Sequence, residues 1–303
     1  MLVPGDTGGV TSPTPSLGLL LDVDGPLASP VTRSLAIPSI AEDLVALANA
    51  GVPVVFNTGR SDGFLVDEVV GPLLTEGLAP GARVYGVCEK GATWFPITDA
   101  GAGELVVDSS LVLPAELRDK VRALVHERFD DIVFFDESKR TGFAVEQHLD
   151  VDSLDYLARQ DEIDRALLDL CTADGEGALW RTERRPAADG SIRYRLDPSI
   201  ISTDIEDVRV GKALGAERGL ALIAADGPLP TLWRTAGDSR GDYAMADWLF
   251  AHGHDVAHVD VRPAEGIPDK PYPVLTAPAD LINDAAGALF LRRWVTDLLP
   301  AGA

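Results

Sequence analysis

A chain of 303 residues is long for a single core, and 46% hydrophobic with 24% charged residues is the composition of an ordinary globular protein. The formal net charge of −22 excludes a general binder of nucleic acid or of anionic membranes, because both would be repelled. A small anionic substrate stays possible, since a divalent cation or a local basic patch can reverse the field within one cleft.

Met1–Ser16 is rich in Gly, Pro, Thr and Ser and reads as a flexible arm, with no basic stretch leading into an apolar segment as a secretion signal requires. Leu17–Leu21 is a short apolar run that stops at Asp22, Asp24, Gly25 and Pro26, the pattern of a buried strand of a parallel sheet. Ser39–Ala50 has helical spacing through Ile40, Leu44, Leu47 and Ala48, with Ser39 as N-cap and Gly51 as stop. Val52–Phe56 reads as a second buried strand, ending in Asn57-Thr58-Gly59-Arg60. A helical pattern through Val66, Val69 and Val70 leads to a third strand at Arg83–Cys88. This is the start of a doubly wound, Rossmann-like α/β sheet.

The rhythm then changes. Thr93–Pro96 reads as a hairpin arm, Leu117–Phe129 and Ile163–Leu170 as helices. Ile132–Phe135, Gly142–His148, Leu179–Thr182 and Ile192–Leu196 read as strands. Hairpins mixed with two helices suggest an inserted α+β domain over 89–199, with the parallel core at 17–88 and 200–303. The core resumes with a helix at Lys212–Leu220, a strand at Leu232–Ala236 ending in GDSRGD (237–242) and a helix at Tyr243–Phe250. A strand at Val256–Val261 and a long amphipathic helix over Pro278–Leu299 complete it. Cys88 and Cys171 follow no metal-ligand spacing, which fits a reduced, cytoplasmic protein. His252 and His254 read as a helix-end turn. No apolar run is long enough to span a bilayer.

In a parallel sheet the carboxyl ends of the strands lie on one edge, where ligands bind. Asp22, Asp24, Thr58, Asp238 and Asp242 all fall there, and Lys212 opens a helix of the same core. Carboxylates so crowded repel one another unless a hard cation with oxygen ligands intervenes, and Mg²⁺ commonly takes such carboxylates together with substrate phosphate. An aspartate can attack phosphorus, a second carboxylate can move the proton of the leaving oxygen, and a hydroxyl and an ammonium can hold the other phosphoryl oxygens.

DVDGPL (22–27), NTGR (57–60), the core Lys212 and GDSRGD, in that order, resemble the four motifs of the haloacid dehalogenase-like phosphohydrolases. The resemblance implies Asp22 as nucleophile, Asp24 as acid/base, Thr58 with Gly59 as phosphate binders and Lys212 as the neutralising cation. It implies Mg²⁺ held by Asp22, Asp238 and the main-chain carbonyl of Asp24, supported by Asp242. An insert after the third strand, EKGA at 89–92 and ESKRTGFAVEQH at 137–148 are similar to the large-cap sugar-phosphatase branch, which includes trehalose-phosphate, sucrose-phosphate and mannosyl-phosphoglycerate phosphatases. Pro26, Lys90 and Gly241 depart from the usual Thr, Asn and Asn.

The insert also holds Arg181, Arg184, Arg185, Arg193 and Arg195, a basic cluster in an acidic chain. It reads either as a solvated hairpin or as a holder of a second anionic group. Lys139, Arg140 and His148 invite the same two readings, and Arg60 reads as structural. The expectation is a phosphoric monoester hydrolase acting on a phosphorylated sugar or sugar acid, as a monomer or homodimer with no nucleic-acid or membrane partner. A phosphomutase on the same core, or a binding protein with a relic site, are the alternatives.

Overall fold

The computed structural model describes residues 15–299; the expected N-terminal arm lies almost wholly outside them. The core strands are β1 (Leu17–Leu21), β2 (Val54–Asn57), β3 (Val84–Cys88), β4 (Thr93–Thr98), β5 (Gly101–Ala102) and β6 (Val106–Val107), continued by further strands after the insert. Between β1 and β2 runs α1 (Pro38–Asn49). Between β2 and β3, α2 (Asp62–Leu65) passes through a π-helical turn at Val66–Val70 into α3 (Gly71–Thr75).

The insert contains α4 (Ala115–Arg128), β7 (Val133–Asp136), β8 (Phe143–Gln147), α5 (Ser153–Thr172), β9 (Ala178–Trp180), β10 (Glu183–Arg185), β11 (Tyr194–Pro198) and β12 (Ser202–Asp207). The chain then re-enters the core as α6 (Lys212–Asp226), β13 (Leu232–Gly237), α7 (Tyr243–Ala251), β14 (Asp255–Asp260), β15 (Val274–Leu275) and α8 (Asn283–Leu298).

The core sheet runs β15-β14-β13-β1-β2-β3-β4-β5, with β6 also paired to β4; β15 to β3 are parallel and β4 is antiparallel to β3. Alternation sets the two faces. Leu19 and Leu21 of β1 and Val54 and Phe56 of β2 face Leu44 and Leu47 of α1 and Phe290 and Trp294 of α8. Leu20 and Val55, one residue out of phase, face Ala216, Leu220 and Ile223 of α6 and Met245 and Leu249 of α7. The chain leaves β1 towards β2 and returns to its other side as β13. The order therefore reverses at β1, and a crevice opens at its carboxyl end.

The second sheet runs β10-β9-β11-β12-β8-β7, antiparallel except for β9 beside β11. One face is covered by α4 and α5 through Val121, Val125, Ile163 and Leu167 packed on Phe143, Val145, Leu196 and Ile205. The other face carries the alternate residues, among them Glu146 and Asp204, and turns towards the core.

Strand pairing moves two segments relative to the expected ranges. Thr93–Thr98, expected in the insert, extends the core sheet, and Ser202–Asp207, expected in the core, lies inside the insert's sheet. Both pairings are tertiary, and neither segment's own pattern reveals its partner. Helix α1 has Pro38 at its first turn, and Ile37 is its N-cap without a side-chain bond, so Ser39 caps nothing; Gly51, at φ +91°, does end it. Helix α8 begins at Asn283, later than expected.

Candidate active site

The turn after β1 is built to be tight. Leu27 N and Ala28 N donate to Val23 O, and Gly25 N donates to Ala28 O. Gly25 has φ +88°, and a Cβ there would stand 2.5 Å from Cβ of Asp238. Only glycine allows this turn to lie against the end of β13. Pro26 needs no donor here, and its carbonyl rests where a Cβ on Gly287 of α8 would come within 1.7 Å. Helix α8 thus braces the turn from behind, and the proline stiffens it.

Lys212, the first residue of α6, ties three strand ends together. Its Nζ lies 2.7 Å from Asp22 Oδ1 and 2.7 Å from Asp242 Oδ1, and it donates to Asn57 O at 2.8 Å. Asn57 Nδ2 donates back to Lys212 O at 2.9 Å. Asp242 is fully buried, and its Oδ2 accepts from Ser239 N at 3.0 Å and Ser239 Oγ at 2.7 Å. Asp22, Asp238 and Asp242 each bring a carboxylate oxygen within 4.8 Å of the others, a group with the shape of a cation site.

The electrostatics follow from this crowding. Burial, with repulsion from Asp242, pushes the Asp22 carboxyl well above the usual carboxylate range against the pull of Lys212. Burial, with Asp242 adding to it, raises Asp238 to about 6. Burial also opposes ionisation of Asp242, but Lys212 and the Ser239 donors outweigh it and hold Asp242 low. Burial pulls the Lys212 ammonium down, and Asp22 and Asp242 more than reverse it. Two carboxyls strained upward beside a third held ionised form a hard-oxygen donor set that fits a divalent cation.

Thr58 is buried at the end of β2, and its Oγ1 accepts from Arg60 N at 3.1 Å. Asp24 stands apart from the three clustered carboxylates. Arg60 holds it with Nε at 3.0 Å from Oδ2 and Nη2 at 3.1 Å from Oδ1, and the guanidinium lies 5.0 Å over the Phe64 ring. The Arg60 contact is the main element the motif reading missed; no sequence spacing reveals it, because it joins two loops that meet only at the sheet edge.

A cavity of about 460 Å³ opens from Asp24, Gly59 and Arg60 to the insert. Its far wall is Asp136, Ser138, Lys139, Glu146, Ser202 and Asp204. Lys139 Nζ lies 2.7 Å from Asp204 Oδ1. Of the eight basic residues of the insert named from sequence, Lys139 is the one found on this wall among the described residues. Arg140 makes a two-pronged pair with Asp62 of α2 at 2.9 and 3.0 Å, and so spans the two units. His148 Nε2 is 3.0 Å from Asp130 O at the far edge of the insert's sheet. Arg181 pairs with Asp161 at 2.8 Å and Arg193 with Glu176 at 2.6 Å, while Arg184 sits on β10, an edge strand. Arg181, Arg185 and Arg193 are therefore paired away from the cavity, whereas Arg195 pairs with Glu206 on the core-facing side of the insert's sheet.

No protein-family model matches this chain, and no curated protein sequence does. Solved structures do. The C-terminal domain of trehalose-6-phosphate phosphatase from Candida albicans superposes at TM-score 0.61 and 14% identity, over 93% of this chain and 94% of that one. A haloacid dehalogenase-like hydrolase from Bacteroides thetaiotaomicron gives 0.58 and 11%, over 91% and 98%. A Thermoplasma acidophilum protein gives 0.55 and 13%, over 93% and 98%. At such identities the likeness shows the fold: a mostly parallel α/β core with an inserted cap, shared with haloacid dehalogenase-like hydrolases.

Proposed function

We propose that a chain with the haloacid dehalogenase-like hydrolase fold and this constellation of strand-end residues is a Mg²⁺-dependent phosphomonoesterase acting on a phosphorylated sugar. The observation that carries the reading is the convergence of Asp22, Asp238, Asp242 and Lys212 beside Thr58 at the reversal point of the sheet. Asp22 attacks phosphorus, and the ester oxygen leaves as the aspartyl-phosphate forms. Asp24 gives that oxygen its proton, then takes one from the water that releases phosphate. To be free for this, Asp24 must part from Arg60, whose guanidinium lies on the cavity wall. Thr58, the backbone at Gly59 and Lys212 hold the phosphoryl oxygens. Asp22, Asp238 and the Asp24 carbonyl would hold Mg²⁺, with Asp242 behind them; the ion supplies neutralisation of the carboxylates and of the incoming phosphate.

The cavity supports the sugar over the sugar acid. Lys139 is already engaged by Asp204, Asp136 and Glu146 add negative charge to the same wall, and Arg60, once parted from Asp24, lies at the phosphate end of the cavity beside Gly59. Hydroxyl groups suit such a wall; a second carboxylate meets repulsion. The trehalose-6-phosphate phosphatase among the structural neighbours agrees with a phosphosugar. A panel of neutral sugar phosphates and phosphoglycerate esters, scored by phosphate release with and without chelator, tests the reading. Release from neutral sugar phosphates that chelator stops is expected; release confined to phosphoglycerate esters, or none from any compound, overturns it.

A further inference from the structure

The segment joining β3 to β4 touches the phosphate loop, the start of α6 and the insert. Glu89, Lys90 and Gly91 all have positive φ, at 47°, 54° and 103°. This strained turn aims two charged side chains of the core into the insert. The Glu89 carboxylate accepts from Arg140 N at 2.6 Å, Thr141 N at 2.9 Å and Thr141 Oγ1 at 2.6 Å. Lys90 reaches the cavity-side face of the insert's sheet. Its Nζ lies 2.6 Å from Asp197 Oδ2, 3.1 Å from Glu206 Oε2 and 3.4 Å from Asp204 Oδ2, with the lysine side chain only 14% exposed.

The backbone of Lys90 is tied to the core at the same time. Lys90 N donates to Thr58 O at 2.9 Å, and Lys90 O accepts from Gly211 N at 3.0 Å, next to Lys212. A Cβ on Gly59 would stand 3.3 Å from Lys90 Cε, so the lysine stem lies along the phosphate loop. Asp204 is held from two sides, one oxygen by Lys139 of the insert and the other by Lys90 of the core. Burial works against the Lys90 charge, and Glu206, Asp204 and Asp197 overcome it.

We propose that Lys90 is a specificity-determining pin. Its single ammonium fastens the insert's acidic sheet face to the phosphate loop, fixes Asp204 in the cavity wall, and so makes turnover depend on a leaving group that fills the closed cavity. With no charge at this position, Asp197 loses its Lys90 partner while Asp204 and Glu206 keep only Lys139 and Arg195, both of the insert, so the insert's acidic face is no longer tied to the core. A small ester, which makes little use of the far wall, is hydrolysed regardless. This rests on the phosphatase reading for its kinetic arm only.

The test compares the wild-type protein with Lys90→Met, with Lys90→Met/Asp197→Asn, which removes a carboxylate along with the cation, and with Lys90→Arg. Hydrogen exchange is followed at Lys90, Gly211 and β12, with β1 and β2 as internal controls. Exchange at the first three faster by about tenfold or more in both Met variants, unchanged in β1 and β2 and restored in Lys90→Arg, is expected. Equal exchange in all proteins, or a uniform rise that includes β1 and β2 in both Met variants, overturns the pin. In the kinetic arm, kcat/KM for trehalose 6-phosphate falls at least about tenfold in the Met variants, carried by KM, while that for p-nitrophenyl phosphate holds within about twofold. A parallel fall on both esters overturns the specificity role. A wild-type protein inert towards both esters contradicts the phosphatase reading instead, and the exchange arm then decides the pin alone.

Discussion

At the scale of single residues, the account turns on charges that would be costly alone and are tolerable together. Lys212 is placed so that three strand ends share one ammonium. Asp22→Asn removes the attacking oxygen and one member of a repelling set. Phosphate release should therefore fall by at least about a thousandfold while the melting temperature stays within a few degrees; a variant with undiminished release, or one that does not fold, contradicts the assignment. Asp238 contributes to the pH dependence, alongside the raised carboxyl of Asp22. The folded Asp238 carboxyl is raised from 3.8 to about 6. The metal-free folded state thus keeps a proton that the unfolded chain has lost, and stability falls as pH rises through that window, by about 3 kcal/mol for this group. Bound Mg²⁺ competes for the same oxygens, so its stabilising effect should be largest near pH 7 and fade below about pH 5. Thermal melts with Mg²⁺ and with chelator across this range check the sign; a metal effect that grows on acidification contradicts it. The strand-end positions of Asp22 and Asp238 were legible in the sequence because each closes a run that reads as a buried strand, and Lys212 was legible only through the order of the motifs. The Asp24–Arg60 pair was not, because its members meet only through the sheet's topology.

At the scale of elements, helix α8 is as much part of the site as the strands it covers. Gly287 lets it press on Pro26, and Arg292 reaches Asp43 of α1 at 3.1 Å, where the carboxylate is almost fully buried. Gly287→Ala adds a methyl 1.7 Å from the Pro26 carbonyl, so either helix or turn must move. A loss of about 2 kcal/mol or more in urea unfolding, together with weakened Mg²⁺ binding, is expected; a stability equal to wild type contradicts this packing. Hydrophobic period placed β1, β2, β3, β13 and β14 and most helices within a few residues, but it missed the short β15 and the first half of α5. It failed where identity depends on partners. Strand β4 is the hairpin arm its alternation suggests, yet it pairs with β3 and β5 in the core sheet and not within the insert. Strand β12 carries Ser202, Asp204 and Glu206 on one face, a pattern that resembles a polar connection until the cavity behind it is seen. The arginine cluster misled for a similar reason. The acids that neutralise Arg181, Arg185 and Arg193 lie on or just beyond α5, remote in sequence from some of their partners.

At the scale of the whole molecule, the proposed function sets a site for an anion within an acidic chain. With 48 acidic and 26 basic side chains, pairing leaves a large unpaired negative excess on the surface. Raising NaCl from about 20 mM to about 500 mM should therefore raise the melting temperature by screening that repulsion; a lower melting temperature at high salt would show that the surface ion pairs outweigh it. The same field repels a phosphoester until it reaches the crevice. There Lys212, the strand-end backbone and the proposed Mg²⁺ invert it, which confines productive binding to one place. The two-unit plan was legible from the break in βα rhythm after Cys88, but the joint between the units was not, since Glu89, Lys90, Arg140 and Asp62 find one another only across the folded seam. The central claim is that Asp22 carries the phosphoryl group during turnover. Acid-quenching the enzyme while it hydrolyses a ³²P-labelled sugar phosphate, then mapping the label by peptide mass spectrometry, tests it most directly. The account predicts label on the Asp22 carboxylate, abolished by chelator and absent from Asp22→Asn; phosphate release with no label on Asp22, or with label on another residue, would contradict it.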